Sequence, residues 1–178
     1  VLSSYGITLG TLVIDDTDKK RSKNTTRIFF NYKVYDKSTD GYFNGQTIVF
    51  LLLVTPEVTF PVGFAFYRPD PQLALWRKED IRLKKLGIPK KKRPPLPPEN
   101  PTYPSKEQIS MNLLLQFREQ HPSIQIQMVL ADAFYGTAEF VNHASTLFQT
   151  QVISQVRSNQ LVRFRNQMWS VEKYFEKF

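Results

Sequence analysis

In Ile124-Gln-Ile-Gln-Met-Val-Leu-Ala131, the residues Ile124, Ile126, Met128 and Leu130 alternate with Gln125 and Gln127, the period-two pattern of a strand with one face in a core. The run ends on Asp132, and Ala-Phe-Tyr-Gly136 carries the chain away. Before it, Ser105-Lys-Glu-Gln108 has the form of a capping box, opening a helix with Ile109, Leu113 and Phe117 on one side and His121-Pro122 as its stop. After it, Thr137 is placed to cap a second helix whose apolar side is Phe140, Ala144 and Leu147. Two further strands are expected at Gln151 to Arg157 and Leu161 to Arg165, around Ser158-Asn159-Gln160. Helix and strand therefore alternate through this half of the chain.

The first third reads as strands. Leu9 to Asp15 is a short apolar run ending on acids. Arg27 to Tyr35 alternates, with Ile28, Phe30, Tyr32 and Val34 on one face. Asp40-Gly41 and Asn44-Gly45 supply turn chemistry, and the nearly all-apolar Gln46 to Thr55 suits a strand covered on both faces. Pro56-Glu57 turns the chain into Val58 to Tyr67. Leu73 to Leu86 has helical spacing, with Leu73, Trp76, Leu83 and Leu86 on one side. Seven of the 12 prolines then fall between Pro89 and Pro104, which predicts an extended, polyproline-like connector on the surface. Strands followed by alternating helix and strand predict an α/β fold, a mixed sheet with helices packed on it.

The 178 residues suit one domain with a real core. Absence of cysteine excludes disulfides, a cysteine zinc site and a cysteine nucleophile, and two histidines, His121 and His143, leave little for a histidine metal site. At 41% hydrophobic and 13% aromatic the chain is not disordered. Its longest apolar run, Ile48 to Val54, is too short to span a bilayer, and no leader signal opens it, so an intracellular protein without a membrane is expected. A net charge of +8 makes a polyanion the expected partner. The chain lacks an initiator Met and ends in Val171 to Phe178 without a stop signal, which reads as an excerpt of a longer protein.

Asp15 and Asp132 each follow an apolar strand. Ligand sites in open α/β sheets gather at the carboxyl ends of strands, so the two carboxylates converge if their strands are neighbours. Clustered carboxylates repel, and a divalent cation with a taste for hard oxygen, Mg2+ or Mn2+, relieves that repulsion and supports phosphodiester chemistry. An acid at a strand end also serves as a plain turn former or helix cap.

Val13-Ile-Asp-Asp-Thr-Asp-Lys19 and Leu130-Ala-Asp-Ala-Phe-Tyr-Gly136 resemble the two aspartate motifs of DDE transposases from bacterial insertion sequences, and Gln151-Val-Ile-Ser-Gln-Val-Arg157 is similar to the strand that follows. The resemblance implies a ribonuclease-H-like mixed five-stranded sheet flanked by helices, filling residues 1–160 with the basic proline-rich connector at 87–104. It also implies the start of a β-rich insertion at 161–178. Asp15 and Asp132 become the catalytic, metal-ligating pair, and Asp16 falls at a variable position as a supporting or surface residue. The implied activity is metal-dependent endonuclease cleavage at transposon ends, then strand transfer into target DNA. The setting would be the bacterial cytoplasm and nucleoid, with a homodimer in the synaptic complex. The family's third carboxylate, a Glu in a Tyr-x-x-Arg-x-x-x-Glu signature, has no match here; Glu172 is a weak candidate, Glu139 is too close to Asp132, and the expected position is beyond Phe178.

Lys19, Lys20, Arg21 and Lys23 follow Asp15 and are expected to meet DNA phosphates, as are Lys90, Lys91, Lys92 and Arg93 in the basic connector. Each run also reads as a solvated charged segment. Arg157, Arg163 and Arg165 suit phosphate contact or ordinary edge protection. Trp76 and Trp169 read as packing residues, and His121 and His143 as helix-end and helix-surface residues. Two other readings stay open: a non-catalytic DNA-binding module on a decayed scaffold, and a resolvase-like nuclease.

Overall fold

In the computed structural model, which describes residues 5–25, 27–36 and 38–177, β1 (Leu9–Lys20), β2 (Tyr32–Asp36), β3 (Gly41–Val54) and β4 (Thr59–Tyr67) come first. There follow α1 (Pro71–Lys85), α2 (Lys106–Gln120), β5 (Gln125–Ala131), α3 (Ala138–Phe148), β6 (Gln151–Ser154), β7 (Leu161–Phe164), β8 (Gln167–Ser170) and α4 (Val171–Lys177). Residues 1–4, Thr26, Lys37 and Phe178, all within the expected core and insertion ranges, lie outside the described residues. Six strands form one sheet in the order β2-β3-β1-β5-β6, with β4 also pairing β3. The β1–β5 and β5–β6 pairs are parallel and β2–β3 is antiparallel, so the sheet is mixed, flanked by helices, and one strand larger than expected. No helix among the described residues is long and apolar enough to cross a membrane.

The chain divides into two compact units. The first, Val1–Asp15, Phe50–Phe64 and Ser110–Phe178, has an apolar core that includes Leu12, Ile14, Leu51, Leu53, Leu114 and Val129. Tyr135 and Phe140 are fully buried there too. The capping box forms as the sequence predicts: Gln108 N–H donates to Ser105 Oγ at 3.1 Å, and Ser105 N–H donates to Gln108 Oε1 at 2.8 Å. Thr137 caps α3 by accepting from Phe140 N–H at 3.1 Å. The buried stripe of α3 is Phe140, Ala144 and Phe148; Leu147, expected in it, is half-buried because it lies at the edge of that i, i+4, i+8 row. β6 stops at Ser154, short of Arg157, because its partner β5 ends at Ala131, opposite Ser154. A two-residue turn, Arg165-Asn166, joins β7 to β8 with φ of 47° and 61°, the left-handed pair that matches strand twist in a tight hairpin.

The second unit, Asp16–Val49 and Ala65–Ile109, buries polar groups beside its apolar ones: Gln46, Thr47 and Asp70 join Val34, Val49 and Ile109. The strand expected from Arg27 begins only at Tyr32. Phe30 has a φ of 53° and Asn31 N–H donates to Ile28 C=O, so residues 28–30 turn. Gln46 Nε2 donates to the Phe29 carbonyl, supplying by a side chain the pairing a longer strand would have made. Asp70 caps α1 by accepting from Gln72 N–H at 2.8 Å, ahead of Pro71 in the first turn. The proline-rich connector carries one short 3-10 turn, Lys90–Lys92, and is then held against α1.

Candidate active site

β1 and β5 run parallel in a register that pairs Val13 with Leu130 and Ile14 with Ala131. Asp15 and Asp132 each follow the last paired residue, so the first unit carries two acids where the parallel β1–β5 pairing stops, and both are exposed. Strand alternation explains the exposure of Asp15: Leu12 and Ile14 take the buried face and Asp15 the other. One expectation is corrected here. β1 does not end at Asp15 but continues to Lys20, so Asp15 sits where pairing to β5 stops, within a longer strand.

Asp132 leaves β5 through a turn that fixes it. Its Oδ1 accepts from Phe134 N–H at 2.8 Å, and its carbonyl accepts from Tyr135 N–H at 3.1 Å and from Ser154 Oγ at 2.7 Å. Tyr135 is fully buried. A side chain at Gly136 would put its Cβ 2.8 Å from Ser154 Oγ and 3.0 Å from the Gln155 carbonyl, so only glycine lets this turn press onto β6. Exposed Phe134 carries the Arg157 guanidinium 5.7 Å from its ring centroid. Glu172 sits in the first turn of α4, its N–H donating to Ser158 C=O at 3.0 Å. Among the described residues no group of three or more His, Cys, Asp or Glu gathers to hold a metal, so Glu172 does not complete a cluster with Asp15 and Asp132.

In the second unit, Asp16 is half-buried and accepts from Lys106 Nζ at 2.5 Å. Lys106 also lies 5.5 Å from the centroid of the Tyr67 ring. Asp18 accepts from the Thr47 hydroxyl. That hydroxyl has one proton, given to Asp18, so at the 2.6 Å contact between Tyr32 and Thr47 the phenol is the donor. Burial, with Asp18, Tyr67 and Asp16 adding to it and the Thr47 contact opposing it, pushes the Tyr32 phenol up to about 12. Burial likewise raises Tyr67 above its usual value, against the opposing pull of Lys106 and Arg77. The Asp16–Lys106 pair was not part of the sequence expectation. The signal was present, because Leu12, Ile14, Asp16 and Asp18 share one strand face and an acid on a core face needs a partner.

The expected phosphate contacts divide by what they touch. Lys19 and Lys20 belong to β1 rather than to a loop. Asp36 accepts from the Ser38 hydroxyl and pairs with Lys20 at 3.0 Å, and these, with the Ser38 backbone N–H, hold its carboxyl well below the usual range. Arg21 donates twice, at 2.9 and 2.7 Å, to the buried Gln46 Oε1. Lys23, Lys90, Lys91 and Lys92 are exposed, whereas Arg93 is half-buried on Asp80 at 2.7 Å.

A family model described as DDE superfamily endonuclease matches residues 6–174. No curated protein and no solved structure matches the chain.

Proposed function

Because the chain belongs to the DDE superfamily endonucleases, we propose that it cleaves phosphodiester bonds of double-stranded DNA at transposon ends and transfers the freed 3′ end into target DNA, with Asp15 and Asp132 as its metal-ligating carboxylates. The observation that carries this reading is the β1–β5 register, which puts the two acids one residue beyond the paired Ile14 and Ala131. The donor set fits Mg2+ or Mn2+: it offers oxygen alone, and Mg2+ is commonly held by one or two carboxylates with water and substrate phosphate completing the shell. A bound divalent cation supplies Lewis-acid polarisation of a phosphoryl oxygen and a lowered pKa for an attacking water or hydroxyl.

The protein's own part is positioning. Asp132 enters with one oxygen already engaged by Phe134 N–H and its carbonyl tied to β6 through Ser154, so its carboxylate has little freedom left to lose when substrate binds. Asp15 is held by the strand pairing of the residues before it. Exposed lysines, Lys19 and Lys23 among them, supply the positive field that draws a phosphate backbone.

The test is a cleavage assay with Mg2+ on the full-length protein, third carboxylate included, beside a gel shift on the same transposon-end duplex. Asp15→Ala and Asp132→Ala should each remove cleavage by orders of magnitude and leave binding nearly unchanged, because a metal ligand is not a phosphate-binding group. Cleavage surviving in either variant at the wild-type rate would sink the assignment. Binding without any wild-type cleavage would leave a DNA-binding module in its place.

A further inference from the structure

α1 has no fully buried residue, yet its exposure is patterned. Leu73, Trp76, Asp80 and Leu83 are half-buried and lie along one helical stripe, while Lys78, Ile81, Lys85 and Arg82, the last paired with Glu79 at 2.7 Å, are exposed on the other side. The chain's own connector meets this stripe at two of its residues, Trp76 and Asp80. Gly87, at φ 74°, turns the backbone after α1. Arg93 then meets Asp80 at 2.7 Å, and the Pro94 carbonyl accepts from Trp76 Nε1 at 3.0 Å. Trp76 and Asp80 are one turn apart on the helix and their partners are consecutive in the connector. The arm therefore runs back along α1, antiparallel to it. Arg93 is anchored deeply, with its side chain only 12% exposed. The Lys90–Lys92 turn at the bend is exposed throughout.

Charge is distributed unequally between the two units. Asp16–Val49 and Ala65–Ile109 contain 18 of the 24 Lys+Arg and nine of the 16 Asp+Glu, which makes that unit +9 and the other −1. The entire positive excess thus belongs to the unit that contains α1 and the arm. From Lys78 to Lys85 the outer helix face extends about 10 Å at 1.5 Å per residue. Duplex DNA presents about one phosphate charge per 1.7 Å of axis, so a basic strip of that length faces several phosphates at once.

We infer that the outer face of α1 and the Lys90–Lys92 turn form a preordered ledge for the phosphate backbone of duplex DNA, with Trp76, Asp80 and Arg93 as struts that hold the arm and not as DNA contacts. This deepens the DNA-cleaving reading above and rests on it for the choice of partner. A free proline-rich arm would lose conformational freedom on binding; an arm already fixed to α1 loses little, so its lysines meet phosphate with most of that cost met during folding.

Fluorescence anisotropy on unrelated duplex sequences across a salt series tests the ledge. The triple variant Lys90→Ala, Lys91→Ala, Lys92→Ala and the double variant Lys78→Ala, Lys85→Ala should bind more weakly on every sequence. Their plots of log affinity against log salt should be flatter by about 0.9 for each phosphate that is no longer neutralised. Asp80→Asn separates preordering from bulk charge. It makes the protein more positive, which on charge alone tightens binding, whereas loss of a strut weakens it several-fold. Trp76→Phe keeps an aromatic ring and removes the donor, and should weaken binding in the same direction. An unchanged salt slope in the lysine variants overturns the ledge, as does tighter binding by Asp80→Asn or a preference for phosphatidylserine vesicles over duplex at equal salt. Failure of the ledge with wild-type Mg2+-dependent cleavage intact leaves the nuclease reading standing. Ledge behaviour without cleavage removes the nuclease reading and keeps the DNA surface.

Discussion

Tyr32 shows how a single buried hydroxyl reports on its surroundings. Its phenol donates to Thr47, which donates to Asp18, and burial raises its pKa from 10.0 to about 12. A raised pKa means that the folded state keeps the proton where the unfolded state has lost it. The resulting stability is fully present below pH 10 and is lost as pH rises from 10 towards 12. A phenolate absorbance titration should therefore show late-ionising tyrosine, Tyr67 contributing as well, and the late amplitude should shrink by one tyrosine in Tyr32→Phe. Urea midpoints should fall through the same window in the wild type and fall less in that variant. A tyrosine ionising at its ordinary value would mean that position 32 is open to water. Neither Tyr32 nor its hydroxyl chain was legible as a site in the sequence, because Tyr32 reads as one apolar position in an alternating run. Asp15 and Asp132 were legible, since each closes an apolar run.

At the scale of elements, local chemistry decided where helices start. Ser105 and Gln108 satisfy each other's backbone N–H groups at the entry to α2, and Thr137 does so for Phe140 at α3. Ser105→Ala should cost about 1 kcal/mol, the usual loss for an N-cap, read from the urea midpoint at unchanged slope. A cost near zero would show that tertiary packing of Leu113, Leu114 and Phe117 alone fixes this helix. Strand ends obeyed a different logic. β6 stops where β5 leaves it, and β1 runs five residues past Asp15 although the sequence there turns polar and charged. Strand length is set by the neighbour that accepts the hydrogen bonds, and a neighbour distant in sequence leaves no mark on the local pattern.

For the whole molecule, the division of charge makes the clearest expectation. With the positive excess confined to Asp16–Val49 and Ala65–Ile109, hydrogen-exchange protection on duplex binding should concentrate in that unit, foremost in α1 and residues 86–94. In the other unit, protection should be limited to the turn from Asp132 to Gly136. Uniform protection of both units would argue against a division of labour between a basic unit and one that carries the two candidate acids.

Period and capping, both local, are written in the sequence by itself: the strand within Ile124 to Ala131, the helices behind Ser105 and Thr137, the extended arm, and the two acids that close apolar runs. Pairing and direction needed the folded chain. Only there do Ile14 and Ala131 stand side by side, does Asp16 meet Lys106 across ninety residues of chain, and does the proline-rich arm fold back so that Arg93, a basic residue like its neighbours in sequence, becomes a strut for Asp80. A side chain's chemistry is fixed by its type, but its partner is fixed by which segments the sheet and the helices bring within a few ångströms, and no local period encodes that distance.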